Sequence, residues 1–134
     1  MRRIKLTKNQ FNAVLNGATK LLLDIDLSYY KNMCIDTLKT NVIQHIIDTN
    51  SPYNVNETYF SFKSFIDWTS VEFIIKDIKL KRVQDITHDE VYEFYPTAHK
   101  DKYKNFMIGF NEMFCNNKYK ENPYKLILTI ERTK

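Results

Sequence analysis

The chain has 134 residues, of which 43% are hydrophobic, 14% are aromatic and 27% are charged. This length is typical of one domain, and this apolar content supports a packed core and excludes a long disordered chain. We therefore predict a single domain over residues 1–134. The formal net charge of +4 is a small excess, which is compatible with an anionic partner without requiring one.

Neither the cysteines nor the first residues indicate a metal site or a membrane segment. Cys34 and Cys115 are far apart in the sequence, whereas a structural zinc site needs a cluster of Cys and His ligands. Residues 1–5 turn polar at once, and no run approaches the about 20 apolar residues that span a bilayer. We expect free thiols, no metal, no cofactor, and a soluble protein of the cytoplasm.

The first part of the chain is predicted to form a strand and a capped helix. Residues 2–6 fit a short strand. Thr7 and Gln10 form a capping box, in which each side chain bonds a free N–H group of the other residue, and it starts a helix over 7–16. Gly17 suits the left-handed conformation that ends a helix. The apolar residues 21–27 are predicted to be buried, with a strand as one interpretation.

The middle of the chain carries two strands and one ambiguous segment. Residues 36–47 fit one face of a helix, but their β-branched part also fits a strand, and we favour the helix. Residues 58–66 alternate between apolar and polar side chains, which indicates a half-buried strand. Residues 71–83 form the longest predicted strand. Its apolar positions change phase at Lys76 and Asp77, which predicts a β-bulge or a bend.

The last part of the chain is predicted to contain two helices and a final strand. Thr87 and Glu90 form a second capping box, which starts a short helix. Apolar residues recur at helical spacing over 98–115, which predicts an amphipathic helix packed on the sheet. Its sheet-facing side is formed by Phe106, Phe110 and Phe114. With a final strand over 124–132, the order of elements predicts an α+β fold with a curved, mostly antiparallel sheet.

Two segments of the second half carry a family pattern. Residues 75–90 lead from an apolar and basic strand into the turn Gln84-Asp85-Ile86-Thr87, and residues 122–132 form a strand that begins Asn122-Pro123-Tyr124. Together they resemble the ASCH family of the PUA-like superfamily, which occurs in bacterial and phage genomes. The resemblance implies a small PUA-like β-barrel with flanking helices, and the host cytoplasm as location if a phage encodes the chain. Residues 28–56 match no part of the family and are interpreted as an insertion.

The resemblance also implies candidate catalytic residues. A small amidohydrolase branch of the ASCH family acts on acetylated cytidine with a Lys and a Thr after the first glycine and a Glu late in the short helix. The candidates here are therefore Thr19, Lys20 and Glu93. Their spacing is displaced, since Phe94 stands near the position of the Glu. Surface roles for Lys20 and Glu93 fit this spacing better than hydrolysis does.

Basic and aromatic residues supply candidates for nucleic-acid binding. Lys79 and Lys81 share one face of the predicted strand, where we expect both side chains to be exposed and to contact phosphates together with Lys20 and Arg82. A solvated face that resists aggregation explains the same lysines almost as well. Candidate residues for stacking on bases are Tyr29 and Tyr30.

These observations lead to one prediction of function and two alternatives. We predict a nucleic-acid-binding module that recognises RNA, or a modified base, without strong catalysis. The first alternative is a phage-type accessory protein that binds and inhibits a host protein through exposed aromatic residues between Tyr29 and Tyr53. The second is a residual amidohydrolase acting on acylated cytidine.

Overall fold

The computed structural model describes residues 1–25, 40–64, 66–96 and 124–133. The strands in these residues are β1 Arg2–Arg3, β2 Lys20–Leu23, β3 Thr58–Phe62, β4 Ser70–Arg82 and β5 Tyr124–Arg132. The helices are α1 Lys8–Leu15, α2 Thr40–Asn50 and α3 His88–Phe94, with a 3-10 turn at Val83–Asp85. The strands form one sheet in the order β1-β3-β4-β5-β2. β1 pairs in parallel with β3, and the other pairs are antiparallel.

The predicted α+β class and the mostly antiparallel sheet are confirmed, but the predicted closed barrel is wrong. In the part of the chain that the structure describes, β1 and β2 lie at opposite edges of an open sheet. Closure would require these two edges to pair along several residues. The predicted strand over 2–6 shrinks to Arg2–Arg3, although the N–H of the buried Ile4 still donates to the carbonyl of Phe60 at 2.8 Å. An edge of two residues offers too few hydrogen-bonding groups to close a barrel.

β4 contains the predicted bulge. Ile75 and Asp77 pair with consecutive residues of β5, so Lys76 is an extra residue in the ladder. The extra residue brings Ile78 and Leu80 back to the face on which Ile75 lies, and all three are buried. The bulge therefore allows one long strand to keep a continuous apolar face despite the change of phase in the sequence.

One face of the sheet carries most of the buried residues of the described strands. Its buried hydrophobic residues are Leu21, Tyr59, Val71, Phe73, Ile75, Ile78, Leu80, Leu126, Leu128 and Ile130. α1 lies on this face, because Arg132 at the end of β5 shares it and donates a 3.0 Å hydrogen bond to the carbonyl of Leu15 at the end of the helix. Phe11 and Val14 of α1 are buried in the same core.

α1 begins with the predicted capping box. The Gln10 N–H donates to Thr7 Oγ1 at 3.1 Å, and the Thr7 N–H donates to Gln10 Oε1 at 3.0 Å. The Gln10 amide also donates to the carbonyl of Leu22 at 2.8 Å, which ties the start of the helix to β2. After the helix, Gly17 has a φ of +102°, a left-handed conformation that favours glycine as predicted.

Of the two interpretations of residues 36–47, the helix is confirmed from Thr40 onward, and it continues to Asn50. Ile46 and Ile47 face the core, where both are buried. No helix in the described ranges is long and apolar enough to cross a membrane.

The remaining boundaries agree in part with the sequence. β5 spans the predicted residues 124–132, and β4 begins and ends one residue earlier than predicted. β3 ends at Phe62 rather than at residue 66, because the chain turns there: the Lys63 N–H donates to the carbonyl of Thr69 at 2.8 Å. The predicted helix over 98–115 and its three phenylalanines lie outside the described residues, as do Cys34 and Cys115.

Candidate functional site

Four charged side chains join α3 to the sheet. The ammonium nitrogen of Lys20, on β2, lies 2.9 Å from Glu93 Oε2 and 3.8 Å from Glu90 Oε2. Lys81, on β4, donates to Glu90 Oε1 at 2.6 Å. The name Lys20 cluster is used below for Lys20, Lys81, Glu90 and Glu93. In this cluster Glu90 lies between two ammonium groups, so its carboxylate connects three elements of the fold.

The sequence explains why these four residues meet. Leu21 and Leu80 point into the core, so their neighbours Lys20 and Lys81 point to the opposite face of the sheet. Glu90 and Glu93 are three residues apart and therefore lie on the same side of α3. Since Glu90 contacts both lysines, α3 lies across this second face of the sheet.

Hydrogen bonds to the backbone fix both ends of α3. At its start the Glu90 N–H donates to Thr87 Oγ1 at 3.3 Å and the Thr87 N–H donates to Glu90 Oε1 at 3.2 Å, which confirms the second capping box. At its end the Thr19 N–H donates to the carbonyl of Glu93 at 3.0 Å, and the Thr19 carbonyl accepts from the N–H of Ile130 at 2.9 Å. The helix is thus tied to the residue before Lys20 as well as to its side chain.

Glu90 is the most buried acid of the cluster, with a side chain that is 12% exposed. Burial by itself raises the pKa of the Glu90 carboxyl. The hydrogen bonds from Lys81 and from the Thr87 N–H, together with the positive charges of Lys81 and Lys20, outweigh burial and lower the pKa below its ordinary value. Glu90 is therefore held as a carboxylate.

Lys20 and Glu93 form the accessible part of the cluster. Their side chains are 24% and 42% exposed, so a ligand can reach both from solvent. The ammonium offers only donors and the carboxylate only acceptors. A pair of this kind can recognise a polar group that presents a donor beside an acceptor, such as the edge of a nucleobase.

The structure brings together two of the predicted catalytic candidates. Lys20 and Glu93 are in contact, and the Thr19 backbone bonds Glu93, whereas the Thr19 residue itself is exposed. The displaced spacing in the sequence does not separate them in space, because Phe94 is buried in the core and Glu93 is the acid that faces Lys20.

Two members of the cluster were missed by the sequence interpretation. Glu90 was given a role in capping only, and Lys81 was assigned to an exposed basic surface. The spacing of Glu90 and Glu93 on one side of a short helix was a signal that could have identified an acidic side for lysine contacts. The identity of those lysines required the strand order, since they come from β2 and β4.

The predicted basic surface on β4 is partly neutralised. The ammonium of Lys79 lies 3.8 Å from Asp77 and its side chain is 73% exposed, in agreement with the expectation. Lys81 differs, because its side chain is 33% exposed and bonded to Glu90. Arg82 places its guanidinium 5.1 Å above the ring of Tyr124. Lys79 is therefore the better candidate for phosphate contact.

The predicted aromatic contacts are tested only in part. Tyr29 and Tyr30 lie outside the described residues. Tyr53 is half-buried, and its ring packs edge-to-face on Tyr59 with centroids 5.7 Å apart. Burial and the neighbouring Tyr59 raise the pKa of Tyr53. Tyr53 therefore supports the core more than it offers a free anchor to a partner protein.

The described residues contain no group of three or more His, Cys, Asp or Glu side chains placed to hold a metal ion. Comparisons with protein-family models, curated proteins and solved structures find no match for the chain.

Proposed function

We propose that this chain is an ASCH-like module that binds RNA, and that the Lys20 cluster receives one nucleobase. The observation that carries the proposal is the accessible contact between Lys20 and Glu93, which presents donors beside acceptors at the surface. Glu90 and Lys81 position this pair, because Glu90 contacts Lys20 and the bond from Lys81 to Glu90 attaches α3 to β4. A positioned pair recognises a base edge at a smaller entropic cost than two mobile side chains.

Phosphate contacts supply the affinity in this proposal. Lys79 lies on the same face of the sheet as Lys20, since Lys79 pairs with Ile127 and Lys20 with Thr129. Its exposed ammonium can exchange the ion pair with Asp77 for a phosphate, because an exposed pair of this length contributes little stability.

The first test is a salt titration with a labelled oligoribonucleotide, read by fluorescence anisotropy. Affinity should fall steeply as salt rises, because phosphate binding releases counterions. Lys79→Glu should weaken binding and reduce the salt slope by about 1, with a nearly unchanged melting temperature. Lys8→Glu is the charge-matched control, since Lys8 is exposed on α1, which lies on the other face of the sheet. An absence of salt-sensitive binding at low ionic strength would sink the proposal.

The second test concerns the base. Glu93→Gln replaces an acceptor with a group that also donates, at a side chain that is 42% exposed. We expect this variant to change the order of affinities among oligoribonucleotides of single base composition, while the salt slope stays the same. An unchanged base preference would argue against base recognition by the Lys20 cluster.

The same contact favours a second candidate, the hydrolysis of an acylated cytidine. Lys20, Glu93 and the backbone of Thr19 lie together, as the resemblance to the amidohydrolase branch implies. We nevertheless expect binding without turnover. Lys20 is engaged by two carboxylates, and a lysine in ion pairs is an ammonium, which has no lone pair for attack or for accepting a proton.

Chromatography of acetylated cytidine after incubation with the protein tests this second candidate. No release of cytidine is expected. Turnover that is lost in Lys20→Ala, with the melting curve retained, would reverse the order of the two candidates.

A further inference from the structure

We infer that a second surface on the same face of the sheet binds the flanking part of a single-stranded nucleic acid by stacking its bases on aromatic rings. The surface, named here the Phe62 surface, consists of Arg3, Phe60, Phe62 and Trp68. This inference rests on the proposed RNA binding and extends it to residues that are distant from the Lys20 cluster.

The strand register brings Arg3, Phe60 and Phe62 together. Arg3 on β1 pairs with Phe60 on β3, and residues two apart on one strand share a face. The rings of Phe60 and Phe62 are edge-to-face with centroids 5.4 Å apart. The Arg3 guanidinium lies 5.4 Å above the Phe62 ring, within the range of a cation–π contact. Both rings are only half-buried, so part of each is open to a ligand.

Trp68 lies in the turn that joins β3 to β4, two residues before Ser70, which pairs with Phe62. Trp68 is 78% exposed, so much of this large aromatic residue is accessible from solvent. Hydrogen bonds join the residues on either side of it: Asp67 Oδ1 accepts from the N–H and the hydroxyl of Thr69 at 3.0 and 2.6 Å. The Asp67 N–H donates to Ser64 Oγ at 2.9 Å.

The chemistry of the Phe62 surface favours a nucleic-acid strand over a protein partner. Bases stack on aromatic rings and on guanidinium planes, and cations beside the rings bind the phosphates. Arg3 and Lys5 are exposed and have no carboxylate within ion-pair distance among the described residues. Arg3, which lies over the Phe62 ring, is therefore the cation that we expect to bind a phosphate beside the rings.

The Phe62 surface and the Lys20 cluster lie on one face of the sheet. Phe60 pairs with Glu72 on β4. Lys20 pairs with Thr129 of β5, which in turn pairs with Asp77 on β4. Glu72 and Asp77 share a face of β4 because the bulge at Lys76 lies between them. The two sites are three strands apart, about 14 Å across the sheet, and they are also offset along the strands by about 13 Å. One continuous strand of RNA can therefore contact both.

The single tryptophan of the chain makes this inference directly measurable. An oligoribonucleotide of about ten nucleotides, within the usual site size of single-strand binders, is titrated while anisotropy and Trp68 fluorescence are recorded in parallel. Stacking should quench Trp68 and protect it from acrylamide along the same binding curve. Trp68→Ala should weaken binding about tenfold, since the stacking of one base on an aromatic ring raises affinity by about that factor. Trp68→Phe keeps a ring and should weaken binding much less.

Ile66→Ala is the matched control, because Ile66 is 93% exposed in the same turn and has no ring. It should leave the affinity unchanged. Binding by anisotropy with Trp68 unquenched and fully open to acrylamide would overturn the inference and leave the proposed function standing. An absence of binding in both signals would contradict this inference and the proposed RNA binding alike. Protection of Trp68 at high protein concentration without RNA would instead identify this surface as a contact between copies of the chain, and would also overturn the inference.

Discussion

Glu90 holds more of the molecule together than any other residue of the Lys20 cluster. Its carboxylate accepts from Lys81 and from the N–H of Thr87 and lies near Lys20, so the same group caps α3 and binds β4 and β2. Because those contacts favour the charged form, the pKa of Glu90 is lowered in the folded protein relative to an unfolded chain. Folding stability therefore depends on the ionisation of this one carboxyl.

The sign of that dependence gives a prediction for acid. A carboxyl whose pKa is lower in the folded protein stabilises the fold at pH values above its unfolded pKa. This contribution is lost as the pH falls from the unfolded pKa of about 4.3 through the folded pKa. Glu90→Gln should lose about 1–3 kcal/mol at pH 7, and its stability should fall less than that of the wild type on acidification. Urea denaturation between neutral and acidic pH measures both effects.

Glu93→Gln is the matched control for this prediction, because Glu93 is on the same helix and 42% exposed. The free energy of unfolding of this variant at neutral pH should be lower than that of the wild type by no more than about 1 kcal/mol, as for other exposed ion pairs. Equal stability of Glu90→Gln and the wild type at pH 7 would contradict the role assigned to Glu90.

At the scale of elements, the side chain of Gln10 links α1 to β2 by a hydrogen bond. Gln10 accepts from the N–H of Thr7 within the capping box and donates to the carbonyl of Leu22 on β2. Since β2 has four residues and lies at the sheet edge, this hydrogen bond helps to satisfy the edge strand. The capping box thus has a function in the sheet as well as in the helix.

Comparison of two single substitutions tests this double role. Thr7→Ala removes the side-chain cap alone and should cost about 1 kcal/mol. Gln10→Ala removes its part of the cap and the bond to Leu22 and should cost about 1–2 kcal/mol more than Lys8→Ala, the neighbouring exposed control. Urea midpoints give the order, and a smaller effect of Gln10→Ala than of Thr7→Ala would contradict it.

At the scale of the whole molecule, the last strand is placed inside the sheet. β5 lies between β4 and β2, so the edge strand β2 pairs in the described sheet only with residues more than a hundred positions later in the sequence. A fold that depends on such distant pairings forms slowly, because the entropy of closing long loops is lost before the distant contacts form.

Removal of β5 should therefore unfold the protein rather than trim it. A chain that ends at residue 123 loses Leu126 and Leu128, both fully buried, and leaves β2 without its partner. We expect it to lack a cooperative urea transition monitored by circular dichroism. A sigmoidal transition with a midpoint close to that of the full chain would contradict this.

The sequence was most informative where a structure depends on near neighbours. Thr7 with Gln10 and Thr87 with Glu90 predicted both helix starts, because a capping box needs only residues three positions apart. The phase change at Lys76 predicted the bulge for the same reason.

It was least informative where distant pairing decides. The contact of Lys20 with Glu93 depends on the pairing of β2 with β5 in the sheet. Lys81 is partly buried because α3 packs on its side chain through Glu90. The predicted barrel was wrong for a similar reason: whether two edges meet depends on the length of β1, which the alternation of five residues did not define.

The bulge in β4 also has a consequence for changes in chain length. Insertion or deletion of one residue normally reverses every later side chain of a strand. β4 contains one residue more than its alternation needs, so deletion of Lys76 leaves Ile75 and Ile78 on one face as a regular strand, whereas deletion of Lys79 turns Leu80 away from the core. The first variant should fold and the second should not, although both lose one exposed lysine. The strand thus has a single point at which its length can vary without a change in the residues that it buries.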